Sequence, residues 1–133
     1  MKYLLDTNIC IYIIKNKPPV VRQRFKSLII GDVGVSSITV AELQFGVQKS
    51  RYGSQNQAAL NQFLAPLEIV PFDHETAVSY GHIRTLLESN GTPIGALDTL
   101  IAAHAYTLNC ILVTNNESEF RRVLGLSVEN WTK

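Results

Sequence analysis

The sequence predicts an α/β fold with a parallel sheet covered by helices, and three observations carry that prediction. Short apolar runs recur along the chain, each followed by polar or turn residues, as buried strands require. Longer segments with helical spacing lie between them, so helix and strand alternate throughout. Asp6 and Asn115-Asn116 stand directly after two of the apolar runs, at the carboxyl ends of strands, where such sheets bind their ligands.

Taken in order, Tyr3-Leu4-Leu5 is the first buried strand, and helical spacing runs over Ile9–Lys15 and again over Pro19–Ile29. Val33-Gly34-Val35-Ser36 is the second strand. A helix follows over Thr39–Lys49, with Thr39-x-x-Glu42 fitting a capping box, and another over Gln55–Leu64. Leu67–Val70 is the third strand. His74–Ser89 and Leu97–Leu108 read as helices, Cys110-Ile111-Leu112-Val113 as the fourth strand, and Leu126–Val128 as a short last strand before Trp131-Thr132-Lys133. Gly53-Ser54 and Asn90-Gly91-Thr92-Pro93 are loops, and no repeat or low-complexity tract interrupts the pattern.

The 133 residues fit one domain spanning 1–133, large enough to bury a real core. At 46% hydrophobic residues and a mean hydropathy of +0.08, the composition is that of a globular protein. No apolar run approaches the roughly 20 residues that cross a bilayer, so the expectation is a soluble protein with no membrane partner. Met1-Lys2-Tyr3-Leu4-Leu5-Asp6 meets an acid before a signal-peptide stretch can develop, which points to the cytoplasm. Cys10 and Cys110 have no metal-type spacing and read as small buried hydrophobes without a disulfide. Net charge is only +1, yet residues 1–67 carry eight Lys or Arg against three acids, and residues 68–133 four against eight. Lys15, Lys17, Arg22, Arg24 and Lys26 fall in a stretch without acids, either a phosphate-facing patch that would bind RNA or a solvated helix surface.

Four carboxylate-bearing segments carry the chemistry: Leu4-Leu5-Asp6-Thr7-Asn8, Thr39-Val40-Ala41-Glu42, Gly95-Ala96-Leu97-Asp98, and Val113-Thr114-Asn115-Asn116-Glu117-Ser118-Glu119. Acids gathered at the ends of buried elements repel one another, so several ionised together call for a cation. Each has a structural alternative. Asp6 also suits an Asx turn between strand and helix, and Glu42 a capping box, although it lies off the Val40, Leu43 and Val47 stripe. Asp98 sits on a helix so apolar that it must be largely buried, beside Ile101, Ala102 and Ala105, with first-turn dipole stabilisation as its bland reading. Thr114-x-x-Glu117 and Asn116-x-x-Glu119 both fit capping boxes for a helix leading to Phe120, leaving Asn116 or Glu119 to complete the site.

Other residues weigh less. His104 reads as a satisfied core histidine, His74 and His82 lack zinc spacing, and Asp32, Asp73, Glu75 and Glu88 read as solvated surface. Tyr12, Tyr52 and Tyr80 suit packing or base stacking. No nucleophile elbow, phosphate-cradling glycine loop or Cys/His/Asn pattern is present.

In combination, Leu4-Leu5-Asp6-Thr7-Asn8, Ser37-Ile38-Thr39-Val40-Ala41-Glu42-Leu43-x-x-Gly46, Gly91-Thr92-Pro93-Ile94-Gly95 with Asp98 and Ile101-Ala102-Ala103-His104-Ala105, and Val113-Thr114-Asn115-Asn116 with Glu119-Phe120 resemble a PIN-domain toxin of the VapC type. The resemblance runs from Tyr3 through Trp131. It implies a three-layer α/β/α PIN-like domain with a central parallel sheet, and a Mg²⁺- or Mn²⁺-dependent endoribonuclease whose target class is tRNA. It further implies a homodimer neutralised by a VapB-type antitoxin, which lays its C-terminal segment across the active-site groove and alone contacts operator DNA.

Carried over by position, the family's metal-binding acids fall on Asp6, Glu42 and Asp98. Its usual fourth acid falls on Asn116, an amide without charge, so Asn116 and Glu119 are expected to share that corner as catalytic residues. Thr7, Asn8, Thr114 and Asn115 take supporting places beside the strand-end acids. A metal held by Asp6 and Asp98 would polarise the scissile phosphate, with Glu42 positioning or deprotonating water. Two alternatives remain open. A phosphoaspartyl phosphatase would use Asp6 as nucleophile but wants a second Asp where Asn8 stands, and an acidic-pocket signalling or binding module wants a late-strand lysine that Val113-Thr114-Asn115-Asn116 lacks.

Overall fold

Burial on both faces is what makes a strand of three apolar residues stable, and Tyr3–Leu5 (β1) is buried at every position in the computed structural model, which describes residues 1–133. It pairs in parallel with Val33–Ser36 (β2) on one side and Ile111–Val113 (β4) on the other, so that Leu5 stands between Val35 and Val113. Glu68–Val70 (β3) and Val128–Glu129 (β5) form the edges. The five strands run in the order β3-β2-β1-β4-β5, all parallel.

Alternation along the strands then dictates two cores. Tyr3, Leu5, Val33, Val35 and Val113 point to one face and pack with Thr7–Lys15 (α1), Pro19–Lys26 (α2), Ser37–Lys49 (α3) and Gly53–Leu64 (α4). Leu4 and Leu112 point to the other, against Leu87 of His74–Ser89 (α5) and Ile101, Ala102 and Ala105 of Ala96–Leu108 (α6). The result is the expected three-layer α/β/α arrangement. A short helix, Glu117–Phe120 (α7), seats Phe120 in this second core.

Chain order fixes where a site can form. From the central β1 the chain moves outward through β2 and β3, then returns to the other side of β1 as β4. The crossovers therefore diverge between β1 and β4, opening a crevice at their carboxyl ends. Asp6 and Thr114 are the residues at that opening.

Several element ends differ from the periodicity reading, for local reasons. α3 starts at Ser37, not Thr39, because the Ser36 hydroxyl accepts the Ile38 N–H at 3.1 Å. The Thr39/Glu42 capping box therefore does not form, and Thr39 is buried inside the helix. α2 stops at Lys26 rather than Ile29, where Ser27 Oγ donates to the Arg24 carbonyl at 2.7 Å. α1 and α6 end at Asn16 and Asn109 with φ of 56° and 54°, the left-handed turn that closes a helix. The last strand is Val128–Glu129, shifted from Leu126–Val128, and Gly53-Ser54 form the first residues of α4 instead of a loop. Cys10 and Cys110 are both buried and unpaired. No helix is long and apolar enough to cross a membrane.

Candidate active site

Asp6 follows β1 directly and opens α1, its Oδ1 accepting the Ile9 N–H at 2.9 Å. That bond, to the N–H three residues on, is a helix N-cap held by one carboxylate oxygen. Only 6% exposed, Asp6 is pushed from its ordinary 3.8 up to about 6 by burial and by the charge of Glu42, against the pull of the Thr114 hydroxyl and the Ile9 N–H.

Glu42 reaches the same place from the second turn of α3. Thr7 Oγ1 donates to Glu42 Oε1 at 2.8 Å and lies 3.5 Å from Thr39 Oγ1. A hydroxyl next to Asp6 thus anchors an acid from an element more than thirty residues away.

Asp98 stands in the first turn of α6, which runs antiparallel to β4 and so presents its N-terminus at the strands' carboxyl ends. Its pKa is raised to about 6 by burial, then by the Glu119 carboxyl beside it, and further by Asp6 and Glu42. Asp98 therefore feels three carboxylates from three other elements across a single opening. Glu119 is held there on both oxygens, Oε1 accepting the Gly95 N–H at 3.2 Å and Oε2 accepting from Asn116 Nδ2. Asn116, for its part, takes its backbone N–H to Thr114 Oγ1 at 3.0 Å. The uncertain corner thus divides into a carboxylate that faces Asp98 and an amide that orients it.

The supporting residues form a neutral rim. Asn8 Nδ2 lies 3.5 Å from Asn115 Oδ1, and Asn115 Nδ2 donates to the Tyr12 hydroxyl at 2.9 Å. Tyr12 was legible only as a packing or stacking aromatic; its hydroxyl is the polar end that holds Asn115. Glu117, by contrast, turns away to Arg121, Asn130 and Lys133, which hold its carboxyl down at about 2.

The basic stretch is less uniform than its sequence. Lys15, Lys17 and Lys26 are exposed and Arg22 half-buried. Arg24 is committed to the chain itself, donating to Glu129 Oε1 at 3.0 Å and lying over the Trp131 ring at 5.6 Å. Alongside Glu42 runs an open groove of about 280 Å³, floored by Ile11, Ile14, Leu43 and Leu60 and edged by Lys15 and Asn56. Its walls come from three helices distant in sequence, so no local pattern marks it.

The donor set suits a hard divalent cation: carboxylate oxygens only, two of them raised to about 6 by burial and mutual repulsion that a cation would relieve. No three His, Cys, Asp or Glu side chains are gathered tightly enough to hold an ion alone. Mg²⁺ characteristically takes one or two carboxylates and completes its shell with water and substrate phosphate.

Comparison with known proteins bears on the family and the fold. The PIN domain profile matches residues 3–126. The chain is 43% identical over 132 residues to the tRNA(fMet)-specific endonuclease VapC of Shigella flexneri, covering 99% of each chain. It is 46% identical over 134 residues to ribonuclease VapC2 of Rickettsia felis, covering 100% of each. Among solved structures, VapBC2 from Rickettsia felis bound to a DNA fragment from their promoter superposes with a TM-score of 0.92 at 44% identity, over 98% of this chain and 99% of that one.

Proposed function

The chain belongs to the PIN-domain family, its full-length relatives being VapC ribonucleases, and from that premise we propose that it is the toxin of a type II toxin-antitoxin pair. It is a Mg²⁺- or Mn²⁺-dependent endoribonuclease that cuts tRNA in the cytoplasm. One observation carries the reading: Asp6, Glu42, Asp98 and Glu119 arrive from four elements at the β1/β4 opening, where two of them are pushed to about 6. Such an arrangement opposes folding unless a cation is to be bound.

Asp6 and Asp98 would hold the cation, with Glu42 and Glu119 completing the acidic wall. When bound, the ion polarises the scissile phosphate and lowers the pKa of the attacking water. Thr7 fixes Oε1 of Glu42, which leaves Oε2 free to orient that water and receive its proton. Asn116 keeps Glu119 turned toward Asp98. Hydrolysis in one in-line displacement leaves no covalent enzyme intermediate. Lys15, Lys17, Arg22 and Lys26 neutralise the RNA backbone, giving salt-sensitive affinity, and sequence choice rests on unpaired bases.

Initiator tRNA is the first substrate to try, given the activity for which the Shigella flexneri relative is named. A VapB-type antitoxin would silence the toxin by laying its C-terminal segment along the groove beside Glu42, and would bring the complex to operator DNA. The working unit is a homodimer. Incubating the antitoxin-free protein with purified tRNA and Mg²⁺ tests the reading: discrete cuts support it, and intact tRNA from folded protein opposes it.

A further inference from the structure

One buried polar cluster takes no part in the chemistry above. His104 of α6 is 1% exposed, and its Nδ1 lies 2.8 Å from Ser36 Oγ. Ser36 is itself fully buried at the end of β2, and its hydroxyl already accepts the Ile38 N–H that caps α3. The Pro71 backbone also bonds the ring, and with the ring proton on Nε2 the neutral imidazole accepts the Ser36 hydroxyl at Nδ1. Burial favours the same form, lowering the ring's pKa against the pull of Asp73, the charged group facing it. The loop from β3 to α5 closes the cluster: Phe72 packs edge-on to the ring at 5.5 Å, and its N–H donates to Ser37 Oγ at 3.0 Å.

The place of this bond in the chain gives it a consequence. His104 lies six residues beyond Asp98 on α6, and Glu42 six residues beyond Ser36 on α3. Each acid is thus about 9 Å along a rigid helix from the bond. A leucine would fill the same space without desolvating an imidazole. A directional bond adds what apolar packing lacks, a fixed register between two helices.

We propose that His104 is a positioning residue: through Ser36 it sets where Glu42 on α3 stands relative to Asp98 on α6. The importance of that separation rests on the nuclease reading, whereas the mechanical link does not.

The test compares wild type with His104→Leu, which keeps bulk but loses the acceptor, and His104→Asn, whose amide oxygen can occupy the Nδ1 position. His104→Gln stays polar but sets its amide at the Nε2 position, and Ser36→Ala alone and combined with His104→Leu completes the set. For each variant shown folded by circular dichroism, kcat and KM on tRNA are measured, together with the Mn²⁺-binding midpoint by electron paramagnetic resonance. His104→Leu and His104→Gln should lower kcat and weaken Mn²⁺ binding, roughly 10- to 100-fold in at least one of them, with KM for tRNA little changed. His104→Asn should recover most of the loss, and the double variant should be no worse than the poorer single one. Asn as slow as Gln, or additive losses in the double variant, would overturn the proposal. If wild type cuts no RNA, the nuclease reading falls, and the Mn²⁺ midpoints of the same proteins still decide this link.

Discussion

Replacing Asp6 with Asn should inactivate the protein and make it more stable, and the size of the gain follows from the site. Asp6 is 6% exposed, so its shift is not softened by solvent as a surface acid's would be. A rise from 3.8 to about 6 corresponds to about 3 kcal/mol. The sign follows from proton linkage. Between those pH values the folded protein binds more protons at Asp6 than the unfolded chain does, so stability falls as pH rises and the full cost is present above about pH 6. Asn at this position keeps an oxygen for the Ile9 N–H and removes the ionisation. After a loss from imperfect pairing with Thr114, the net gain above pH 6 is about 1–3 kcal/mol, several degrees in Tm. Differential scanning calorimetry in EDTA, near pH 8 and near pH 4, reads it directly: the variant should melt higher at the upper pH and level with or below wild type at the lower. Millimolar Mg²⁺ should then raise wild type more than the variant and narrow the gap. A variant no more stable than wild type near pH 8, or an offset independent of pH, would refute the reasoning.

Glu119→Gln removes the nearest charge from Asp98, so a carbon-13 titration should show the Asp98 pKa falling toward 3.8, with cleavage about tenfold slower; unchanged values would leave Glu119 as a loop-holding group. Thr7→Val deletes the 2.8 Å bond to Glu42 and should lower kcat while costing only about 1 kcal/mol of stability by urea denaturation; an unchanged kcat would mean Glu42 needs no anchor. Arg24→Ala, with its partner already in the chain, should leave the salt dependence of RNA binding unaltered, whereas Lys15→Ala should reduce the slope of log Kd against log salt by about 1. Equal slopes for the two variants would contradict that division of the basic stretch.

What could be read in the sequence depended on how local its cause was. Tyr3-Leu4-Leu5 and Cys110-Ile111-Leu112-Val113 are apolar at every position because both faces of a parallel sheet are covered, and that signal survives without any structure. Helix ends were harder, since Ser36 and Thr39 are both acceptable caps; only the packing of Thr39 into the core excludes the second. The same step releases Glu42 from a capping role. Asp6 and Asp98 stood out because an acid beside buried apolar residues needs a reason. That Thr7 would anchor Glu42, that Asn116 would bond Glu119, and that α1, α3 and α4 would enclose a groove are facts about elements distant in sequence. His104 could be assigned to the core from its helix, but its partner Ser36 lies 68 residues away and left no local trace.

Cleavage of purified tRNA by the antitoxin-free protein in Mg²⁺, in Mn²⁺ and in EDTA, beside Asp98→Ala shown to be folded, tests the central claim most directly. The account predicts discrete cuts with either cation, none in EDTA and none from the variant. Cuts that persist in EDTA, or a folded Asp98→Ala protein that cleaves at the wild-type rate, would contradict it.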